Sequence, residues 1–182
     1  YKRYTPVRAN NQTTFIESDY YEGEAFKTID MYEYDPFIWL SPIGMLSMAK
    51  DVTDYLAANY VEQSSYFNEM YSEIADELIT IDASYQSLAR RLIKENKHIK
   101  FVSMTGSFGI WQKDYGFEVY PVCLSKYGAL PSENELAIIK QSIIDNNVEY
   151  IAYEPNMPED MINLFNELEA ELNIKRITLS NI

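Results

Sequence analysis

Between Gly44 and Gly106 the chain contains neither glycine nor proline. Within that stretch Phe67, Tyr71, Ile74, Leu78, Ile81, Tyr85, Leu88 and Leu92 recur at alternating steps of four and three. That spacing is the signature of one apolar helix face. One uninterrupted helix is expected over residues 63–96, roughly 50 Å long at 1.5 Å per residue. A helix of that length outreaches a small domain, so it must cross one lobe and reach another, or pair with a partner. The stripe alone reads just as readily as simple core or coiled coil.

Upstream, Ser41-Pro42 places a capping side chain before a proline at the first helical position. Met45, Met48, Val52, Tyr55 and Leu56 follow at helical spacing, which predicts a shorter helix ending near Tyr60. Residues 1–32 show no clean periodicity. Residues 1–14 are polar and mixed, 17–24 are acidic and tyrosine-rich, and 26–31 read as a short strand. This segment is read as an arm or the remnant of a missing piece. Tyr1, not Met, opens the chain, as expected of a processed or excised segment.

Beyond Asn96 the pattern changes. Buried strands are expected at 99–104, 117–124, 148–153 and 176–179, with helices at 107–115, 132–147 and 158–173. The second of these helices opens on a capping box, Ser132-Glu133-Asn134-Glu135. Strands alternating with helices imply an α/β fold, a four-stranded parallel Rossmann-like sheet with flanking helices, preceded by one long backbone helix. Three segments follow: 1–32, a helical segment 33–98, and an α/β lobe 99–182. Ligands of such sheets bind beyond the carboxyl ends of the strands, here 104–107, 124–127 and 154–158.

Composition removes several functions. Fifteen Lys and Arg against 28 Asp and Glu leave a net charge of −13. That argues against nucleic acid and anionic membrane surfaces, whose phosphates are held by basic side chains. The single cysteine, Cys123, excludes an internal disulfide and a Cys-rich zinc site, and the single histidine, His98, excludes any two-histidine motif. No apolar run reaches the ~18–20 residues of a membrane-spanning helix.

Of the chemistry-bearing clusters, Thr105-Gly106-Ser107-Phe108-Gly109 joins a strand to a helix but lacks the lysine of a P-loop and the third glycine of a dinucleotide fingerprint. His98 lies at the amino end of the first strand, and Ser107 and Ser125 at carboxyl ends, about 16 Å away across the sheet. No Ser–His dyad follows, and an enzyme is not expected. Cys123 reads as an inert core thiol. Glu154, Glu159 and Asp160 gather where the third strand meets the last helix. The helix dipole accounts for Glu159 and Asp160, whereas Glu154 ends an apolar strand before Pro155 and is expected to project into the crevice. The 16 tyrosines suit protein or saccharide contact as well as ordinary packing.

The order of these elements resembles the zinc- and manganese-specific solute-binding proteins of ABC transporters. Asp35-Pro36-Phe37-Ile38-Trp39-Leu40-Ser41-Pro42 is similar to that family's Asp-Pro-His-x-Trp-Leu-Asp-Pro signature. Residues 101–109 followed by Asp114-Tyr115-Gly116-Phe117 resemble its second signature, in which a histidine or acid stands three residues before Phe-Gly. Pro131-Ser132 with Glu135-Leu136, then Asn147-Val148-Glu149-Tyr150-Ile151 and Glu154-Pro155, match later segments, so the likeness runs unbroken over residues 33–182.

The resemblance implies two α/β lobes joined by one rigid helix, with a metal ion held between them by histidines and carboxylates. Here Phe37 stands at the signature histidine and Thr105 at the second lobe's ligand. Pro158 falls near the final acidic ligand, with Glu159 and Asp160 just beyond it, and the amino-terminal lobe is absent. Phe37, Thr105, Glu154 and Glu159 are therefore the ligand-binding candidates, and Glu154, Glu159 and Asp160 the remaining metal donors. Zinc takes about four N, S or O ligands, so zinc or manganese binding at the usual place is expected to be weak or lost. The resemblance further implies an ABC permease as partner, a second lobe or a homodimer over the half-pocket, and an extracytoplasmic location as a cell-surface lipoprotein or in the periplasm. An adhesion or protein-interaction domain on the same scaffold is the alternative.

Overall fold

The computed structural model describes residues 5–9, 12–16, 24–26, 29 and 35–180. It divides into two compact units, Phe37–Lys97 and a second comprising Tyr1–Pro36 with His98–Ile182.

The first unit is helical. A 3-10 turn at Ile38–Leu40 leads into α1 (Pro42–Asn59), a second turn follows at Val61–Gln63, and α2 runs from Ser64 to Lys94. The Ser41 hydroxyl accepts the Gly44 N–H at 3.1 Å, and Pro42 fills the first helical position. α1 packs along α2. α2 has 31 residues, about 46 Å at 1.5 Å per residue. The stripe that predicts it is only half-covered: Phe67, Tyr71, Leu78, Tyr85, Leu88 and Leu92 are intermediate in burial, while Ile74 and Ile81 are 47% and 45% exposed. α2 stops where Asn96 turns left-handed (φ 54°) and the Lys97 N–H reaches back to the Leu92 carbonyl at 2.9 Å.

The second unit holds the sheet. β3 (Lys100–Ser103), β4 (Glu118–Pro121), β5 (Tyr150–Tyr153) and β6 (Lys175–Thr178) are all parallel, in the order β4-β3-β5-β6. They are connected through α3 (Ile110–Tyr115), α4 (Glu133–Asp145) and α5 (Glu159–Leu172). The α/β class and parallel sheet expected from the sequence are present. The capping box of α4 is formed as well, with Ser132 and Glu135 serving each other's backbone N–H. Asn147 (φ 53°) and Asn173 (φ 51°) end α4 and α5 in the left-handed conformation, as Asn96 ends α2.

One core joins Val102, Met104, Tyr120, Ile139, Ile143, Ile151, Phe165 and Leu168 with Phe26. Phe101, Phe108, Trp111, Phe117 and Tyr115 form an aromatic cluster beside it, with Phe108 and Trp111 centred 4.9 Å apart.

Several elements differ from expectation. The strand expected at 26–31 is not formed at its start. Glu24–Phe26 is a 3-10 turn that buries Phe26 in the core, and residues 27–28 and 30–31 lie outside the described set. An antiparallel hairpin, β1 (Thr5–Ala9) with β2 (Gln12–Ile16), occupies the stretch read as aperiodic. The helix expected from 107 begins only at Ile110, because residues 105–109 form a loop held by side-chain hydrogen bonds.

Candidate functional site

The sheet order reverses between β3 and β5. The chain leaves β3 toward β4 on one side and returns to β5 on the other. At such a switch point the loops leaving two neighbouring strands part and open a crevice. Here the loops begin at Met104–Thr105 and at Glu154. Two of the sequence-derived candidates, Thr105 and Glu154, are thus brought together by topology although 49 residues separate them.

Their contact is direct. The Thr105 N–H donates to Glu154 Oε1 at 2.9 Å, and the Thr105 hydroxyl to Oε2 at 2.5 Å. The Ser107 hydroxyl donates to the same Oε2 at 3.3 Å. Thr105 and Ser107 also hydrogen-bond to each other, and the Ser103 hydroxyl donates to the Thr105 carbonyl. Glu154, Ser103 and Ser107 are all fully buried, and Thr105 is half-buried. Glu154 therefore does not project into the crevice as expected. The strand it ends is central, and its carboxylate turns onto the loop after β3, where the Thr105 N–H and the Thr105 and Ser107 hydroxyls converge. Burial pushes its pKa up, and the hydrogen bonds from Thr105, Met104 and Ser107 oppose that rise.

Cys123 lies on the adjoining strand end, its N–H bonded to the Met104 carbonyl at 3.0 Å. Its thiol is pushed up to about 12 by burial first, then by the negative fields of Glu154 and Asp160. That makes it a poor nucleophile and metal ligand, in line with the inert thiol expected. Glu159 and Asp160 occupy the first turn of α5 and are exposed, with Asp160 Oδ1 accepting the Met161 N–H at 2.8 Å.

Phe37 belongs to the helical unit. It precedes the 3-10 turn, half-buried, with its ring edge-on to Trp39 at 5.5 Å. Asp35, of the same signature, is buried. His98 is 52% exposed, with Nδ1 3.1 Å from Glu118 at the amino end of the sheet, as its place in the sequence predicts. The sequence reading did not pair Ser107 with Glu154, nor Ser103 with the Thr105 carbonyl. The run Ser103-Met104-Thr105-Gly106-Ser107 is visibly rich in hydroxyls, but only the strand order reveals which carboxylate Thr105 and Ser107 serve.

Chemically the cluster is closed. Among the described residues no group of three or more His, Cys, Asp and Glu side chains is arranged to hold a metal ion. The Glu154 carboxylate is occupied by hydroxyl and amide donors, and a threonine hydroxyl is a weak ligand for a borderline-soft cation such as zinc. Among those residues, too, no helix is long and apolar enough to cross a membrane.

A family model described as zinc-uptake complex component A, periplasmic (ZnuA) matches residues 4–182. The zinc-binding lipoprotein AdcA of Streptococcus pneumoniae is 26% identical over 149 residues, covering 82% of this chain and 28% of AdcA. The high-affinity zinc uptake system protein ZnuA of Bacillus subtilis is 26% identical over 120 residues, covering 66% of this chain and 36% of its own length. Among solved structures, one of ZnuA superposes with a TM-score of 0.70 at 19% identity, covering 87% of this chain and 60% of that one. The laminin-binding protein Lmb of Streptococcus agalactiae, described as a bifunctional protein with adhesin and metal-transporting activity, gives 0.72 at 19% identity over 87% and 60%. The chain thus spans about a third of the length of the curated relatives it matches.

Proposed function

Because the chain belongs to the ZnuA family of periplasmic zinc-uptake components, we propose that it acts as part of the extracytoplasmic solute-binding protein of an ABC transporter. In that role it presents a solute to a membrane permease and catalyses no reaction. Its metal donors are altered, so zinc and manganese bind weakly or not at all at the position the family signatures mark. The observation that carries this reading is the Thr105–Glu154 lock. It stands at the topological switch point, where a ligand of such a sheet is expected, yet it spends the fully buried Glu154 carboxylate on internal hydrogen bonds. Phe37, at the signature histidine, adds no donor, and Glu159 and Asp160 are exposed on the first turn of α5. The role brings with it the family's location, outside the cytoplasmic membrane.

Calorimetric titration of the metal-stripped chain with Zn²⁺ and Mn²⁺, with thermal melting alongside, tests the donor argument. The wild-type chain is expected to show no sub-micromolar binding and no rise in melting temperature. Thr105→His with Ser107→Ala adds an imidazole donor beside Glu154 and removes both hydroxyls that occupy its carboxylate, so that variant should gain zinc affinity. Sub-micromolar zinc binding by the wild type would refute the altered site.

The adhesin described among the structural neighbours supports a second reading, in which the scaffold holds an extracellular protein through its acidic, tyrosine-rich surface. Immobilised laminin, the ligand named for that neighbour, is the probe. Saturable binding by a chain that ignores metal would favour adhesion over transport.

A further inference from the structure

Opposite the apolar stripe of α2 runs a second stripe with the same period. Glu69, Glu73, Asp76, Thr80, Ala83, Ser87, Arg90 and Lys94 follow at steps of four and three throughout. It lies two residues on from the apolar stripe, about 200° round the helix at 3.6 residues per turn. All eight residues are exposed. The order is three acids, three small residues and two bases, and among the described residues none of the five charged ones forms an ion pair.

Within one helix this order is unfavourable. Glu69 and Glu73 stand at i,i+4, as do Glu73 and Glu77, and Arg90 and Lys94. Like charges at that spacing repel, whereas the Lys50–Asp54 pair of α1 uses the same spacing attractively. The helix dipole rewards charge only in the terminal turns. It accounts for Lys94 and Arg91 but not for Glu73 or Asp76, in the third and fourth turns.

We propose that this face pairs with the same face of a second copy, the two α2 helices antiparallel about a twofold axis between Thr80 and Ala83. Steps of four and three are the a and d positions of a coiled-coil seam, and in this register each a meets a d. Glu69 then faces Lys94 of the second copy, Glu73 faces Arg90, Asp76 faces Ser87, and Thr80 faces Ala83. A twofold contact is self-complementary, so every pairing occurs twice. The small central residues let the helices approach closely, and Glu69, Glu73, Arg90 and Lys94, which meet like charges along one helix, each meet an opposite charge across the seam. This surface lies on the face of α2 away from the half-covered apolar stripe, so it does not depend on what covers that stripe, nor on the transport reading.

Sedimentation of the full chain tests it. At about 100 µM and ~10 mM salt a dimer is expected, weakened at least about tenfold at ~1 M salt, where the Debye length falls from about 30 to about 3 Å. Glu69→Lys with Glu73→Lys leaves four bases and Asp76 as the stripe's one acid, and Arg90→Glu with Lys94→Glu makes it wholly acidic. Each variant alone should be monomeric, and their equimolar mixture should form a heterodimer. Exposed positions should leave the helical circular-dichroism signal and its melting unchanged. A monomeric wild type at low salt would overturn the proposal. So would dimers that survive in either variant, or a mixture that stays monomeric.

Discussion

Glu154 is ionisable, fully buried and ringed by donors, and these facts pull in opposite directions. Removal from water favours the neutral acid, while the Thr105 amide and the Thr105 and Ser107 hydroxyls favour the carboxylate. Burial prevails, and the pKa in the folded chain lies above the ordinary 4.5. The sign for stability follows by linkage. A group whose folded pKa is raised stabilises the fold most when protonated, below its unfolded pKa, and that contribution is lost as pH rises through the folded value. Glu154→Gln removes the titration yet keeps an acceptor for the Thr105 N–H, since the hydroxyls can rotate to accept from the amide. Urea unfolding of both proteins from about pH 8 down to about pH 5 should show the wild type gaining on the variant as pH falls. A difference that stays flat, or reverses, would mean that the hydrogen bonds prevail. The reading of residues placed Glu154 at the right sheet edge but aimed it the wrong way. A side chain's direction at a strand end depends on which loop lies next to it, and the adjoining loop comes from 49 residues upstream.

Elements were legible where the signal is local. Period, capping box and proline at the first helical position are all short-range, and α1, α2 and α4 begin within a residue or two of their expected places. The same holds for helix ends, since asparagine tolerates the left-handed conformation that closes α2, α4 and α5. The hairpin β1/β2 was not legible, because its residues carry no alternation of apolar and polar side chains. The 3-10 turn at Glu24–Phe26 was misread because one apolar residue buried from a turn looks like one buried from a strand. Gly44 shows a constraint the sequence hides altogether. It is helical, so its conformation does not demand glycine, but a Cβ there would stand 2.2 Å from the Ile38 carbonyl oxygen, a backbone atom. The Ile38–Leu40 turn sits directly against the start of α1, and no side chain can move aside to make room. Gly44→Ala should therefore destabilise the helical unit by about 1–3 kcal/mol, the usual cost of overpacking, despite alanine's better helix propensity. Chemical denaturation followed at 222 nm would read this. A gain of the ~1 kcal/mol that propensity alone predicts would show that the turn yields easily.

At the scale of the whole molecule the two units differ in what holds them. The α/β unit encloses side chains that no solvent reaches, among them Val102, Met104, Tyr120, Ile139, Ile151, Phe165 and Leu168. The helical unit buries Ser41, Pro42, Gly44, Thr53 and Ala89, all small, while Val52, Tyr55, Tyr60, Val61, Ile79 and Ile93 are more than half exposed. Burial of apolar area stabilises by roughly 25 cal/mol per Å², so each residue of the helical unit gains less from folding than its counterpart around the sheet. Regions with few buried apolar contacts open at lower free energy than the core. The chain has two tryptophans, and each unit holds one: Trp39 packs against Phe37 in the helical unit, and Trp111 against Phe108, Phe101 and Phe117 beside the sheet. Trp111→Phe leaves Trp39 as sole reporter, and Trp39→Phe leaves Trp111. In guanidinium the Trp39 emission should shift at the lower midpoint, with loss of part of the helical signal, and the Trp111 emission at the higher one. Coincident midpoints by both reporters would mean that the chain unfolds as one cooperative body.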